Sequence, residues 1–278
     1  ISIKTQILGL VIISLVILST MLVFLSVHKS KDALMKKSYS SLTSARDSKG
    51  NQIQKFFSDR VADIKIIAKS KNVEDLVEDL IDVHEELDVK RTDTYPVDNL
   101  LAKEETAPHE EFFQQYAKEY GYYDIFIICA KHGHVMYTQA KESDYGANIR
   151  SGSLKDSGLG EVYKKVRELK RTVFVDMKPY APSANAPAMF LGSPVYINGV
   201  MKSIVVFQIS DASINKIMHF RKGYGYSQED YLVGEDKLMR SDSFLDPNGH
   251  SLKASFANPS VGKCDTEASV NALNGESD

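Results

Sequence analysis

Residues 122–138 read YYDIFIICAKHGHVMYT, and the period of this stretch decides the fold. Tyr123 to Ile128, just after Gly121-Tyr122, is apolar and aromatic except for Asp124, too short for a core helix and rich in β-branched side chains. Such a run reads as a buried strand. Lys131-His132-Gly133 is a turn, and His134 to Thr138 is the return strand of a hairpin. The chain therefore switches at Gly121 from helical to antiparallel β patterning.

Downstream the same grammar continues. Ser157 to Leu169 has a helical period, Thr172 to Asp176 is a strand, and Met189 to Ile197 and Lys202 to Ile209 are two more strands joined at Asn198-Gly199. Asn-Gly between two apolar runs is a strong hairpin signal. Asp211 to Phe220 returns to helix. Gln228 to Gly234 and Lys237 to Ser241 read as a second, smaller hairpin, and a polar tail follows. Upstream, His109 to Tyr120 is a short helix stopped by Gly121. Arg91 to Pro108 carries two prolines and reads as a loop, and Val73 to Val89 is an acidic amphipathic stretch. Strands grouped together, with helices before and between them, give an α+β sheet with helices packed on it.

The N-terminus adds a different signal. Ile7 to Val27 reads ILGLVIISLVILSTMLVFLSV, without a charge. About 20 such residues span the ~30 Å hydrocarbon layer, and the run exceeds a signal-peptide core and lacks a small-residue cleavage site after it. A transmembrane helix is expected. Lys4 precedes it and Lys29, Lys31, Lys36 and Lys37 follow it, so charge alone leaves the orientation open. From Ser30 to Ser70 there is no proline, and Leu34, Tyr39, Leu42, Ile53, Phe56, Phe57, Val61, Ile64, Ile66 and Ile67 recur at helical spacing. That predicts a stalk helix of about forty residues, about 60 Å long, with fraying near Gly50.

Composition excludes several classes. The 278 residues carry a formal charge of -3, which advertises no nucleic-acid partner. There is no CxxC and no HxxxH, and the seven histidines are scattered along the chain, so neither a metal nor another cofactor is expected. Cys129 ends the apolar run and reads as a small buried hydrophobe, and a disulfide to Cys264 stays open. No glycine-rich phosphate loop joins a strand to a helix, since Gly223-Tyr224-Gly225-Tyr226 is too short. Ser153 and Ser157 lack a paired His and Asp at an interpretable spacing. No catalytic constellation, and hence no enzyme, is expected.

Taken in order, several segments are similar to one family. They are Tyr122-Tyr123-Asp124-Ile125-Phe126-Ile127 after a long helix, Glu142-Ser143-Asp144-Tyr145-Gly146-Ala147-Asn148 after the hairpin, and Lys155-Asp156-Ser157-Gly158-Leu159 opening a helix. Asp176-Met177-Lys178-Pro179-Tyr180-Ala181-Pro182-Ser183 and Tyr231 to Ser243 follow. The order resembles the double-Cache sensor region of bacterial methyl-accepting chemotaxis proteins and related sensor kinases. The resemblance implies an α+β fold in which an N-terminal transmembrane helix and a long stalk helix carry two PAS-like (Cache) antiparallel sheet modules, the second incomplete. The implied division is 1–28 for the transmembrane helix and flank, 29–222 for the long helix and membrane-distal module, and 223–278 for the start of the membrane-proximal module. It further implies a cell-membrane location with the sensor periplasmic or extracellular, a homodimer, and a cytoplasmic chemotaxis kinase and adaptor reached through a further C-terminal part. The ligand would be a small amine, amino acid or carboxylate. The family's Arg-x-Trp amino-acid pattern is not found, because Cys129-Ala130-Lys131 occupies that neighbourhood. A histidine kinase or nucleotide cyclase sensor, and an anchored solute-binding protein without signalling output, are the alternatives.

Six residues are the candidate ligand contacts: Tyr123, Tyr137, Tyr145, Asp176, Tyr180 and Phe190. Asp176 ends a predicted strand before a proline-rich loop, where its carboxylate pairs with a ligand amine or caps the loop's own N–H groups. Tyr145 and Tyr180 are flanked by Gly or Pro and either line a pocket or pack as a lid. Tyr123 and Tyr137 lie on adjacent hairpin strands, where sheet packing is the competing role. Lys178 is a candidate for a ligand carboxylate, Ser183 to Ala186 for a pocket flap, and Arg240 for an anchor of the second module to the long helix or for a ligand contact.

Overall fold

Helix α1 runs unbroken from Ile3 to Ile67 in the computed structural model, which describes residues 2–276. It passes through Gly50 without interruption, so the fraying expected there does not occur. The chain forms a first unit that ends at Gln52 and a second that begins at Ile53. In the first, the apolar side chains from Ile7 to Val27 all face outward, Leu15 and Leu22 being more than half exposed. This segment is long and apolar enough to cross a membrane.

The second unit is built on a five-stranded antiparallel sheet of β1 (Tyr122–Cys129), β2 (Val135–Thr138), β3 (Val173–Tyr180), β4 (Ala186–Ile197) and β5 (Val200–Ile209), in the order β2-β1-β5-β4-β3. The hairpin read from residues 122–138 is present, with Phe126 opposite Thr138 and Ile127 opposite Tyr137. Both sheet faces are covered, which explains why β1 reads as a continuous apolar run rather than an alternation. Ile125, Ile127, Val205 and Phe207 point to one face, where the C-terminal part of α1, α2 (Lys71–Glu86) and α3 (Leu100–Tyr120) pack. Phe126, Ile128, Ile204 and Val206 point to the other, against α4 (Gly158–Leu169). The period of two places each β1 residue on a defined face.

Helix starts follow local chemistry. Ser70, Asn99, Ser157 and Ser210 each accept a backbone N–H at the start of α2, α3, α4 and α5 (Asp211–Met218). Gly121 closes α3 in the left-handed region at φ 72°. α3 is nine residues longer at its start than the expected His109–Tyr120 helix, and the loop expected up to Pro108 is wrong there. Asn99 caps the earlier start, and Ala102 and Thr106 are buried within it. Pro108 itself is exposed, and the buried residues on either side of it, Thr106 and Phe113, carry the helix through it against its local preference.

The region after α5 departs further from expectation. The hairpin expected over Gln228–Ser241 forms only a single bridge, Val233 to Met239, with no continuous strand. The expected polar tail contains three short helices, α6 (Leu252–Ala257), α7 (Pro259–Gly262) and α8 (Glu267–Leu273). Six-, four- and seven-residue helices are too short to show a period. Cys129 and Cys264 are both buried free thiols, so the disulfide left open does not form.

Candidate ligand site

β1, β2, β3 and β5 bring polar side chains together at one end of the sheet, on the face that carries α4. Asp124 and Gln208 share the parity of Phe126 and Val206, which fixes them on this side. Thr138 stands opposite Phe126, and Tyr180 ends β3 among the residues packed there. The loop after β2 adds Glu142 and Asp144, and the turn between β3 and β4 adds Ser183.

Hydrogen bonds tie these groups into three separate sets. Tyr180 donates to Asp144 Oδ2 at 2.6 Å. Tyr123 donates to Glu142 Oε1 at 2.7 Å, and Ser183 to Glu142 Oε2 at 2.8 Å. Gln208 Nε2 donates to Ser183 Oγ at 3.1 Å. Asp124 Oδ1 accepts from the backbone N–H groups of Ile125, Gln139 and Ala140 at 2.7, 2.8 and 2.9 Å, and Thr138 donates to its Oδ2.

Two features distinguish this cluster from ordinary core polarity. Asp144 Oδ1 and Gln208 Oε1 are buried acceptors with no donor, and such atoms are expensive to leave unpaired. Moreover, among the described residues no Lys, Arg or His forms an ion pair with Asp124, Glu142 or Asp144. Burial pushes the Asp124 carboxyl up to about 7, with the charge of Asp144 adding to it. Burial likewise raises Asp144, with the charge of Glu142 acting in the same direction. Tyr180 is raised by burial and by the Asp144 charge, so its hydroxyl stays a donor. The end of the sheet is thus a buried, electronegative site lacking its own cation.

The six sequence candidates divide between several places. Tyr180 and Phe190 lie together, their rings edge-on at 5.0 Å. Tyr123 reaches the same cluster through Glu142 while its ring stays largely exposed. Tyr145 lines a separate recess of about 380 Å³ with Thr106, Glu110 and Glu142. Tyr137 is on the opposite sheet face, packed at 5.0 Å on Phe113 of α3. Asp176 pairs with Arg240 at 2.8 Å, and Lys178 pairs with Glu161 of α4. Arg240 therefore fastens the segment after α5 to β3 rather than to the long helix. Asp124, Glu142, Asp144 and Gln208 were not singled out from the sequence as contacts. The available signal was three acids inside or beside apolar strand ends.

A larger cavity of about 730 Å³ lies between Ile53 and Phe57 of α1, Phe174 and Asp176 of β3, and residues 232–240. Its principal charged groups, Arg240, Asp176 and Asp236, are already paired. Arg240 bonds Asp176, Asp236 and the Leu238 carbonyl. By the criterion of unsatisfied, convergent polar atoms, the end of the sheet is the stronger site.

Elsewhere, three of the histidines that look scattered along the sequence converge. His84 at the end of α2 lies 3.0 Å from His134 and 3.1 Å from His132, nitrogen to nitrogen.

No family model matches the chain, and no curated protein matches it. Solved structures do. The sensor domain of the Vibrio cholerae histidine kinase DctB superposes with a TM-score of 0.54 at 11% identity, covering 84% of this chain and 79% of that one. The sensory domain of the Campylobacter jejuni chemoreceptor Tlp3 gives 0.49 at 8% identity, covering 89% and 84%. The ligand-binding domain of the Pseudomonas fluorescens chemoreceptor CtaA, in complex with L-serine, gives 0.45 at 14%, covering 77% and 74%. The chain shares the fold of the DctB sensor domain, a long helix with a five-stranded antiparallel sheet, as the residues quoted above lead one to expect. The likeness is one of fold, and ligand and output rest on the residues of this chain.

Proposed function

We propose that the chain is the extracytoplasmic ligand-sensing region of a membrane-anchored bacterial signal receptor, and that it binds a small organic cation, an amine or the ammonium end of an amino acid. The carrying observation is the pair of buried acceptors without donors, Asp144 Oδ1 and Gln208 Oε1, beside three carboxylates with which, among the described residues, no Lys, Arg or His forms an ion pair. An ammonium group carries three N–H donors and a positive charge. It would satisfy both acceptors and offset the like-charge repulsion that raises Asp124 and Asp144. Tyr180 and Phe190 supply the adjacent aromatic wall. The turn at Ser183 to Asn185 covers the site and holds Ala184 and Asn185 at φ 54° and 58°. Left-handed backbone at an alanine is strained, which suits a flap with a second conformation. Among the ligand classes the family resemblance implied, a simple carboxylate is disfavoured by this field.

Signalling follows from the packing. A ligand that draws the β3–β4 turn and the β1 end together biases the sheet between two arrangements through its different affinity for each. The same sheet packs through its other face on α1, and helix shifts of about 1–2 Å carry such changes in receptors. Chemotaxis is the output put first, with a histidine kinase second.

The test is a melting-temperature screen of the intact chain in detergent micelles against amines, amino acids and carboxylates, repeated with Asp144→Asn. Amines or amino acids should raise the melting temperature and simple carboxylates should not. The substitution should weaken binding at least about tenfold, since it removes a buried charge partner. Equal shifts with carboxylates, or unchanged binding by the variant, would overturn the assignment.

A further inference from the structure

Three imidazoles from two elements meet at the far side of the β1–β2 hairpin from the carboxylates. His84 ends α2, and His132 and His134 flank Gly133 in the hairpin turn. Their nearest ring nitrogens, Nε2 of His84 and Nδ1 of His132 and His134, all lie within 4.8 Å of one another. His84 and His134 are buried and His132 is half-buried.

Hydrogen bonding accounts poorly for this arrangement. His84 Nε2 contacts two other ring nitrogens, at 3.0 and 3.1 Å. A neutral imidazole nitrogen carries either one proton or one lone pair. It can therefore make only one good hydrogen bond, and the second contact must share the same proton or lone pair. A cation that accepts three lone pairs removes the conflict. For tetrahedral zinc at about 2.0–2.1 Å from each nitrogen, the ligands stand about 3.3 Å apart. The two contacts made by His84 fall close to that separation, and the third ring nitrogen, within 4.8 Å, needs a small closure of the turn to join them.

The surroundings suit such a site. Burial lowers the proton affinity of all three rings, and the mutual repulsion of their charges adds to it for His132 and His134. The neutral ring is the form that ligates metal, and burial favours it. The Cys129 thiol lies 4.0 Å from His132 Nδ1, beside the fourth position. Gly133 has φ 83°, and a Cβ there would stand 2.6 Å from Arg150 Cβ, so the turn that places both hairpin histidines admits only glycine.

We infer that His84, His132 and His134 form a binding site for a borderline transition-metal dication of the zinc class, which clamps the end of α2 to the β1–β2 turn. Nitrogen-only donors select zinc, copper, nickel or cobalt, whereas calcium and magnesium require oxygen ligands. The site is separate from the carboxylate cluster, and it stands or falls without the amine assignment.

The experiment uses the intact, tag-free chain in detergent micelles, stripped by a chelator and dialysed. Zinc is titrated against a competing chromophoric chelator, and cobalt is added separately to read its visible d–d bands. One zinc per chain should bind, with a dissociation constant of about 1 μM or tighter, and raise the melting temperature. Cobalt should give tetrahedral bands, and calcium and magnesium should do nothing. His132→Gln alters only a half-exposed turn residue. It should keep the melting temperature of the stripped wild type while losing at least about tenfold in zinc affinity. His250→Gln, outside the cluster, should behave as wild type. Absence of saturable zinc uptake, or uptake that His132→Gln leaves unchanged, would overturn the site.

Discussion

At the residue scale the chemistry concentrates in Asp124. Its carboxyl is fully buried, accepts three backbone N–H bonds and the Thr138 hydroxyl, and is nevertheless pushed up to about 7 from 3.8, because burial outweighs those bonds. Between about pH 4 and pH 7 the folded protein keeps a proton that the unfolded chain has released. Stability therefore falls as pH rises through that window and levels off above it. At about 1.4 kcal/mol per unit, the ceiling is about 4 kcal/mol. Asp144 is raised as well and acts with the same sign. Asp124→Asn keeps an acceptor oxygen for the three N–H groups and offers an amide donor to Thr138. It should match or exceed wild-type stability at pH 8 and flatten the dependence between pH 5 and 8, read as urea midpoints at the two values. A variant with the wild-type slope would show that Asp124 does not carry the effect. Little of this was legible beforehand. Tyr180 and Phe190 were visible as aromatic residues near a turn, but Asp144 and Gln208 become site residues only through register, which the sequence does not print. The histidines were hidden for the same reason: His132 and His134 are two apart, and their partner lies 48 residues upstream of His132.

Elements show why the sheet was readable and the helices were less so. β1, β2, β4 and β5 announce themselves by composition and by the Asn198-Gly199 turn, where both residues have positive φ. α3 was shortened by the weight given to Pro108, and α6 to α8 fall below the length at which a period exists. The joint between α4 and the sheet carries a packing prediction. A Cβ on Gly158, the first residue of α4, would stand 2.9 Å from two ring carbons of Phe190, which is fully buried. Neither the ring nor the helix start has space to retreat, so Gly158→Ala should destabilise by about 1–3 kcal/mol despite alanine's better helix propensity. Gly225→Ala, with nothing within 4 Å of the added carbon, is the matched control and should be nearly neutral. Chemical denaturation of both variants measures the contrast. Equal midpoints would mean that α4 rides more loosely on β4 than the distances imply.

For the whole molecule, the decisive property is the sequence of environments along the chain. Ile7 to Val27 exposes apolar side chains on every side of α1, whereas Phe56, Ile64 and Ile67 of the same helix are buried against the sheet domain. A helix apolar all round has lipid as its natural solvent. Its 21 residues at 1.5 Å each give about 31 Å, the thickness of the hydrocarbon layer. The chain should therefore stay with membranes through an alkaline carbonate wash, and removal of residues 1–28 should release the remainder into solution. Orientation is the sharper question, because lysines stand on both sides of the helix and leave it open. The sensor reading requires the sheet domain to lie outside the cytoplasm. Tyr226 is fully exposed in the second unit, and both native cysteines are buried, so Tyr226→Cys provides one accessible thiol. A membrane-impermeant maleimide should label it in intact cells, or in spheroplasts where an outer membrane intervenes. Labelling only after lysis would place the carboxylate cluster in the cytoplasm, where an extracellular amine could not reach it, and the receptor proposal would fail with it.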